Sequence, residues 1–327
     1  MTVTIKDVAK IAGVSFKTVS RVINNDSSVT SQTRETVLNA IGQLGYRPHL
    51  DARQLRTQKS NIIGFITDEI VTTPHAVHII KGAQQAAWER KKLLLVINTE
   101  RDLQVEGEAT EMLLERRVDG IIYATMYHRE VAVPEVPASM PVVLLDCFDR
   151  DRKYASVVPD EFQGGYLATK TLLEQGHTRV GFINVDNPPA ARGRLAGYLR
   201  AHVDRGIASD DQLVLVGDSY ADTGQQLAQQ LMTLRNPPTA LFCGNDRMAM
   251  GAYNALASMN LSVPNVVAVI GFDNEELIAA YLRPPLTTVA LPHAEMGRWA
   301  VETLLQPIAD TPVQHKMSCP LIERDSV

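Results

Sequence analysis

Cysteine is scarce: Cys147, Cys243 and Cys319 are the only three in 327 residues, far apart and never in C-x-x-C spacing. This excludes a disulfide or zinc framework and suits a reducing compartment. No apolar run approaches the ~18–20 residues needed to span a bilayer. The opening MTVTIKDV has no basic stretch followed by an apolar core, so no secretory leader and no membrane partner are expected, and the cytoplasm is the expected location. No G-x-G-x-x-G follows the first strand-like run, and there is no G-x-x-x-x-G-K loop and no G-x-S-x-G elbow. The sequence therefore lacks the usual marks of a dinucleotide enzyme, a nucleoside-triphosphatase or a serine hydrolase. His75 and His78 lie three apart, but no third ligand stands at motif spacing, so neither metal nor cofactor is expected.

What is present is ordinary globular composition, 45% hydrophobic and 21% charged, in a chain long enough for two or three domains at about 100–200 residues each. The net charge of −5 hides an asymmetry. Residues 1–58 carry Lys6, Lys10, Lys17, Arg21, Arg34, Arg47, Arg53 and Arg56 against Asp7, Asp26, Glu35 and Asp51, a charge of +4, while the remainder carries −9. A basic segment on an acidic chain marks a nucleic-acid-facing region.

That segment reads as three short helices. The first spans about 5–12, and Gly13 supplies a tight turn. The second is capped by Ser15 and runs to about Asn24. The third is capped by Thr30 or Ser31 and stops at Gly45. Two helices joined by a short glycine turn match a helix-turn-helix. Ala9 is small where two helices must approach, and Val8, Val14, Val19 and Val22 can close a small core. Phe16, Lys17, Ser20 and Arg21 are left facing outward. Lys17 and Arg21, four apart, share a face and suit base edges or phosphates in a major groove.

Here the sequence resembles the LacI/GalR family of bacterial transcriptional regulators. The resemblance rests on VTIKDVAKIAGVSFKTVSRVINN (3–25) and continues through TRETV (33–37), LGYRP (44–48) and ARQLR (52–56). It implies that Phe16 and Lys17 open the recognition helix and that Arg21 adds a major-groove contact, with Thr4, Ser15, Thr18, Ser20, Asn24, Thr30 and Arg34 also facing DNA. Residues 49–57 correspond to the family's hinge helix. Leu55 sits where the family uses a minor-groove wedge, between phosphate-holding Arg53 and Arg56, with Ala52 beside them. Ordinary helix packing is the other reading of Leu55.

From Asn61 short apolar runs alternate with amphipathic stretches of helical spacing. The runs are 62–67, 93–97, 120–124, 142–145, 180–183, 213–216, 240–243 and 267–270. Such alternation predicts parallel α/β structure, in one sheet or two. The resemblance implies two: an all-α helix-turn-helix head (1–48), a hinge and linker (49–60), and a periplasmic-binding-protein-like core of two doubly wound parallel-sheet subdomains. These are 61–159 with 292–318, and 160–290 with 319–327, with crossovers near 159–161, 289–292 and 318–320.

In open α/β sheets ligands bind beyond the carboxyl ends of the strands. Asp146, Asn245 and Asp273 follow strand-like runs, and Arg194 is placed at the start of a helix. Such groups can hold paired hydroxyls, and by resemblance they are effector contacts. Helix capping is the alternative for Asp146, Asn245 and Asp273, and the favoured reading of Asp246 and Asn274. His293 stands where some family members stack a ring on ligand. Thr72, Thr73, Tyr127 and Tyr220 occupy other strand-end loops.

The expectation is a sequence-specific repressor of a carbohydrate-utilisation operon. It binds palindromic double-stranded operator DNA as a homodimer, with affinity set by a mono-, di- or oligosaccharide. The segments around Thr72-Thr73-Pro74 and LTTVALPH (286–293) resemble the sucrose-responsive branch. No leucine-heptad tail is present, which favours a dimer over a tetramer. The rivals are a sugar-binding protein without a DNA role, a regulator answering a nucleoside or purine corepressor, and an enzyme using the cleft carboxylates; a non-enzyme is expected.

Overall fold

The computed structural model describes residues 3–46, 60–70 and 75–327. The chain divides at Ser60 into a head and a body. In the head, Thr4 opens α1 (Ile5–Ala12): its amide and hydroxyl both donate to the Asp7 carboxylate, at 2.8 and 2.7 Å, a capping box. Gly13 ends α1 at φ 63°. The Ser15 hydroxyl then accepts from the Thr18 amide and opens α2 (Phe16–Ile23). Thr30, not Ser31, caps α3 (Ser31–Leu44), and Gly45 ends it at φ 60°. Val8, Val19, Val22, Val37, Ala40 and Tyr46 form the buried centre, with Val14 at its margin. Full burial of each aliphatic side chain contributes about 1.5–3 kcal/mol.

In the body, β1 (Ile62–Thr67), β2 (Leu93–Asn98), β3 (Ile121–Glu130), β4 (Val142–Phe148) and β5 (Ala155–Pro159) build the first sheet. With β11 (Gln314–Met317) at its edge, the order is β11-β5-β4-β3-β1-β2. The second sheet takes β6 (Val180–Val185), β7 (Val214–Gly217), β8 (Ala240–Cys243), β9 (Ala268–Asp273), β10 (Thr287–Ala290) and β12 (Leu321–Ile322), in the order β12-β10-β9-β8-β6-β7. Pairing is parallel except between β10 and β12. Near-continuous apolar runs suit strands covered on both faces. In the first sheet, Ile63, Phe65 and Ile122 enter one buried cluster, while Ile66, Ile121 and Tyr123 enter another.

Helices cover both sheets: α4 (His75–Glu89), α5 (Leu103–Glu115) and α11 (His293–Leu304) with the first, and α6 (Glu161–Glu174), α7 (Pro188–Asp204), α8 (Ala221–Met232) and α9 (Asp246–Ser258) with the second. A single turn, α10 (Glu276–Ala279), follows β9. Three helix pairs meet backbone to backbone through glycine. A Cβ on Gly82 would lie 2.0 Å from the Ala294 carbonyl oxygen, one on Gly197 2.3 Å from that of Phe162, and one on Gly251 1.8 Å from that of Ala221. The chain passes between the sheets three times: after β5, after β10, and between β11 and β12.

Several boundaries differ from the sequence reading. Helix α7 begins at Pro188, so Arg194 lies inside it rather than at its start; proline is well placed in a first turn, where its missing N–H has no partner to lose. Strand β3 continues past Ala124 to Glu130 through a register shift, and β9 runs on to Asp273. Strands β5, β10, β11 and β12 have no counterpart in the sequence reading; β11 reads Gln-His-Lys-Met and carries no apolar run.

Candidate functional site

The basic face of the head is where the helical spacing puts it. Phe16 is 52% exposed, and Lys17 and Arg21 are exposed beside it on α2. Ser20 and Thr18 are half-buried. Several residues expected on DNA also hold the head together. Thr4, Ser15 and Thr30 are caps. The Asn24 side-chain amide folds back onto the Ser20 carbonyl. Arg34 donates to the Asn25 side chain at 3.1 Å, the Asp26 carbonyl at 2.7 Å and the Val22 carbonyl at 3.4 Å, clamping the loop before α3. Ala52, Arg53, Leu55 and Arg56 lie outside the described residues, as do Thr72 and Thr73.

In the body the carboxyl ends of the two sheets face a cleft. Of the expected effector residues, it gathers Tyr127, Asp146, Arg194, Asn245, Asp273 and His293. Tyr220 precedes α8, 60% exposed, and is not among the lining residues.

Two of the gathered carboxylates sit on unusual backbone, Asp146 at φ 56° and Asp273 at φ 105°. Conformations of this kind persist only where the surroundings enforce them, and they cluster at binding sites. Asp146 is 3% exposed, and its Oδ1 has no hydrogen-bond partner among the described residues. Burial, reinforced by the nearby Glu161 charge, raises its carboxyl well above the usual range. A buried polar atom left unmatched is costly, and it asks for a partner from a ligand. Burial also pushes Asp273 up to about 7, with Arg194 acting against it.

Arg194 is the centre of the cleft's polar network. Its Nε donates to Glu161 Oε2 at 2.7 Å, its Nη1 donates to the Gly244 carbonyl, and its Nη2 stands 4.0 Å from Asp273 Oδ1. The guanidinium carbon lies 3.7 Å from the centre of the Phe272 ring, a cation–π contact. Burial opposes the charge of Glu161, yet Arg194 and His128 outweigh it and hold its carboxyl below the usual range.

Asn245 does what its capping alternative requires. Its Oδ1 accepts from the Met248 amide at 2.8 Å at the start of α9, while its Nδ2 donates to the Ser219 carbonyl. Asp246, read as a cap, instead accepts from the Thr288 hydroxyl and the Glu275 amide. Asn274 accepts from Arg324 at 2.7 Å, which ties the tail of the chain to β9.

Sequence reasoning missed Glu161, His128, Arg247 and Glu275, all of which line the cleft. Glu161 follows β5, which the sequence reading did not include among its apolar runs, and His128 lies within the register shift of β3. Among the described residues no group of three or more His, Cys, Asp or Glu could hold a metal, and no helix is long and apolar enough to cross a membrane.

Comparison with known proteins joins the two units. Residues 4–49 match the model of bacterial regulatory proteins of the lacI family, and residues 60–324 match that of periplasmic binding proteins and the sugar binding domain of the LacI family. The chain is 34% identical over 310 residues to the HTH-type transcriptional repressor PurR of Aliivibrio salmonicida (strain LFI1238), covering 94% of this chain and 92% of the relative. It is 33% identical over 306 residues to the ribose operon repressor of Haemophilus influenzae (strain ATCC 51907 / DSM 11121 / KW20 / Rd), covering 93% and 92%. The lac repressor dimer bound to operator and the anti-inducer ONPF superposes with a TM-score of 0.82 at 29% identity, over 100% of this chain and 99% of that one. Repressors of this kind bind operator DNA and small-molecule effectors as dimers. The helix-turn-helix head, the paired parallel sheets and these matches establish that the chain belongs to the LacI family and is a DNA-binding, non-enzymatic transcriptional repressor.

Proposed function

We propose that this repressor controls a carbohydrate-utilisation operon and that a mono-, di- or oligosaccharide bound in the cleft releases it from its operator. The observation that carries the reading is the Asp146 carboxyl group, buried with one oxygen unmatched and flanked by polar groups from both subdomains. Such a site answers a ring of hydroxyls. The lining is also poor in flat apolar surface: Tyr127 is its only Phe, Tyr or Trp among the described residues. A purine would need more stacking surface than that. Relatives named for a purine and for ribose stand at comparable identity, so the nucleoside or purine corepressor is kept as the alternative.

In this reading residues 1–48 read DNA, 49–60 form the hinge, and a homodimer sets two heads on a palindromic operator. Phe16, Lys17 and Arg21 face bases or phosphates, and Leu55 is the minor-groove wedge. Asp146, Arg194, Asp273, Asn245 and His293 form the effector site, with Tyr127, Thr72, Thr73 and Tyr220 at its margin. Effector and operator affinities change each other by the same factor, typically about 5–150-fold.

The test is operator binding at fixed salt, titrated against neutral sugars in one series and adenine, guanine and hypoxanthine in another. Weaker operator binding with one sugar, lost in Arg194→Ala, supports the proposal. A response to a purine base alone replaces it with the purine reading. In a companion test, Leu55→Ala should weaken specific binding while leaving non-specific binding nearly intact; equal loss of both removes the wedge role.

A further inference from the structure

Glu161 is the residue of the cleft that neither helix formation nor capping explains. Asp160 already caps α6, accepting from the Gln163 amide at 3.0 Å. The Glu161 side chain is 5% exposed and turned into the cleft, against Arg194. The consequence is a cancelled cation. A guanidinium in a ligand cleft is ordinarily the natural partner of a phosphate or carboxylate, which it can grip with two parallel hydrogen bonds. Here the Nε edge is taken by Glu161 at 2.7 Å, Nη1 is taken by the Gly244 carbonyl, and Asp273 stands beside Nη2.

The other guanidinium of the lining is paired too: Arg247 Nε donates to Glu275 Oε1 at 3.0 Å. Two polar atoms of the lining remain without a partner among the described residues. Asp146 Oδ1 is buried in the same lining without a donor. Across the cleft, His128 Nδ1 stops 3.8 Å from Glu161 Oε1, too long for a hydrogen bond. Each of the two guanidiniums of the lining is therefore already matched by a carboxylate.

We propose that Glu161 sets the charge class of the effector: by neutralising Arg194 it refuses phosphorylated and carboxylated ligands and admits neutral or amine-bearing polyols. A phosphate reaching Arg194 would meet the Glu161 carboxylate that already holds it. A hydroxyl or ammonium meets the unmatched Asp146 oxygen without that conflict of charge. The inference rests on the sugar reading of the cleft and makes it narrower, because it separates free sugars from sugar phosphates.

The experiment uses the full chain, wild type and Glu161→Gln, with calorimetric titration and thermal denaturation. One probe is inorganic phosphate. The others are matched sets: D-glucose, D-glucosamine and D-glucose 6-phosphate; sucrose and sucrose 6-phosphate; D-ribose and D-ribose 5-phosphate; hypoxanthine and inosine 5′-monophosphate. In the wild type, phosphate and every phosphorylated probe should bind at least tenfold more weakly than the best unphosphorylated probe. Glu161→Gln should gain at least tenfold in affinity for phosphate or for a phosphorylated probe, whichever sugar proves to be the effector. The proposal is overturned if the wild type binds a phosphorylated probe as tightly as its partner, or if a folded Glu161→Gln protein responds to phosphate no better than wild type. If that variant does not fold, the wild-type pairs decide alone. Binding of hypoxanthine with refusal of its nucleotide would end the sugar reading while leaving the role of Glu161 intact.

Discussion

The Thr288 hydroxyl donates to Asp246 Oδ1 at 2.6 Å, joining β10 to the first residue of α9 inside the second subdomain. Both residues are fully buried, and the carboxylate also accepts from the Glu275 amide at 2.7 Å. Thr288→Val keeps the shape and removes the donor, leaving a buried carboxylate oxygen unmatched. Such a loss costs about 1–3 kcal/mol. Urea unfolding of the variant should show that drop, and an unchanged midpoint would mean that the bond contributes nothing.

Two basic residues of the head should separate cleanly. Lys17 is exposed on α2, outside the buried centre of the head, so Lys17→Ala should leave stability unchanged and weaken operator binding by about 1–3 kcal/mol. Arg34 has its guanidinium committed to the loop before α3, so Arg34→Ala should lower the melting temperature of the head. Operator titrations at several salt concentrations check the split. The log–log slope should become shallower by about 0.9 for each phosphate that is no longer neutralised, and Arg34→Ala should leave it unchanged once the head is folded.

The buried acids make stability depend on pH in a defined direction. Burial raises the Asp273 carboxyl to about 7, against 3.8 when free. The folded chain therefore binds more protons than the unfolded one between those values, and this group's contribution falls as pH rises through the window and levels off above it. Asp146 and Asp246 act with the same sign, also through burial. Glu161, held low, acts oppositely, and its contribution is lost only as pH falls below about 4.5. Asp273→Asn removes one titration, so the variant should gain on wild type between pH 5 and pH 8 by at most about 2.6 kcal/mol. Denaturant unfolding of both proteins at the two pH values measures it; a constant difference would contradict the assignment.

Gly251→Ala should be among the most damaging single methyl additions in the body. Its new Cβ would sit 1.8 Å from a backbone oxygen of α8, so the helix pair must separate. Overpacking of this kind costs about 1–3 kcal/mol, occasionally more. Thermal unfolding measures the drop. Alanine at Gly107, which has open space around it, is the control and should be neutral or slightly stabilising.

The three helices of the head are legible in the sequence to within a residue because caps and glycine turns are local chemistry, as at Ser15 and Gly45. The long apolar strands are legible for the same reason. Short edge strands are not: β11 is stabilised by its pairing with β5 and by Gln314 bonding to Ser156, neither of which is visible in a run of four residues. The cleft divides likewise. Asp146 and Asp273 announce themselves by following apolar runs, although β4 continues past Asp146 to Phe148, whereas Glu161 depends on a fold-made meeting with a residue 33 positions away.

The glycine contacts between helices have a mechanical meaning. Where α4 and α11 touch backbone to backbone, no layer of side chains lies between them to yield, so the pair behaves as one stiff plate. Helix α11 opens with His293, a residue of the cleft lining, only three residues after β10 ends. Any displacement of His293 is therefore passed to α4 with no intervening side chains to absorb it.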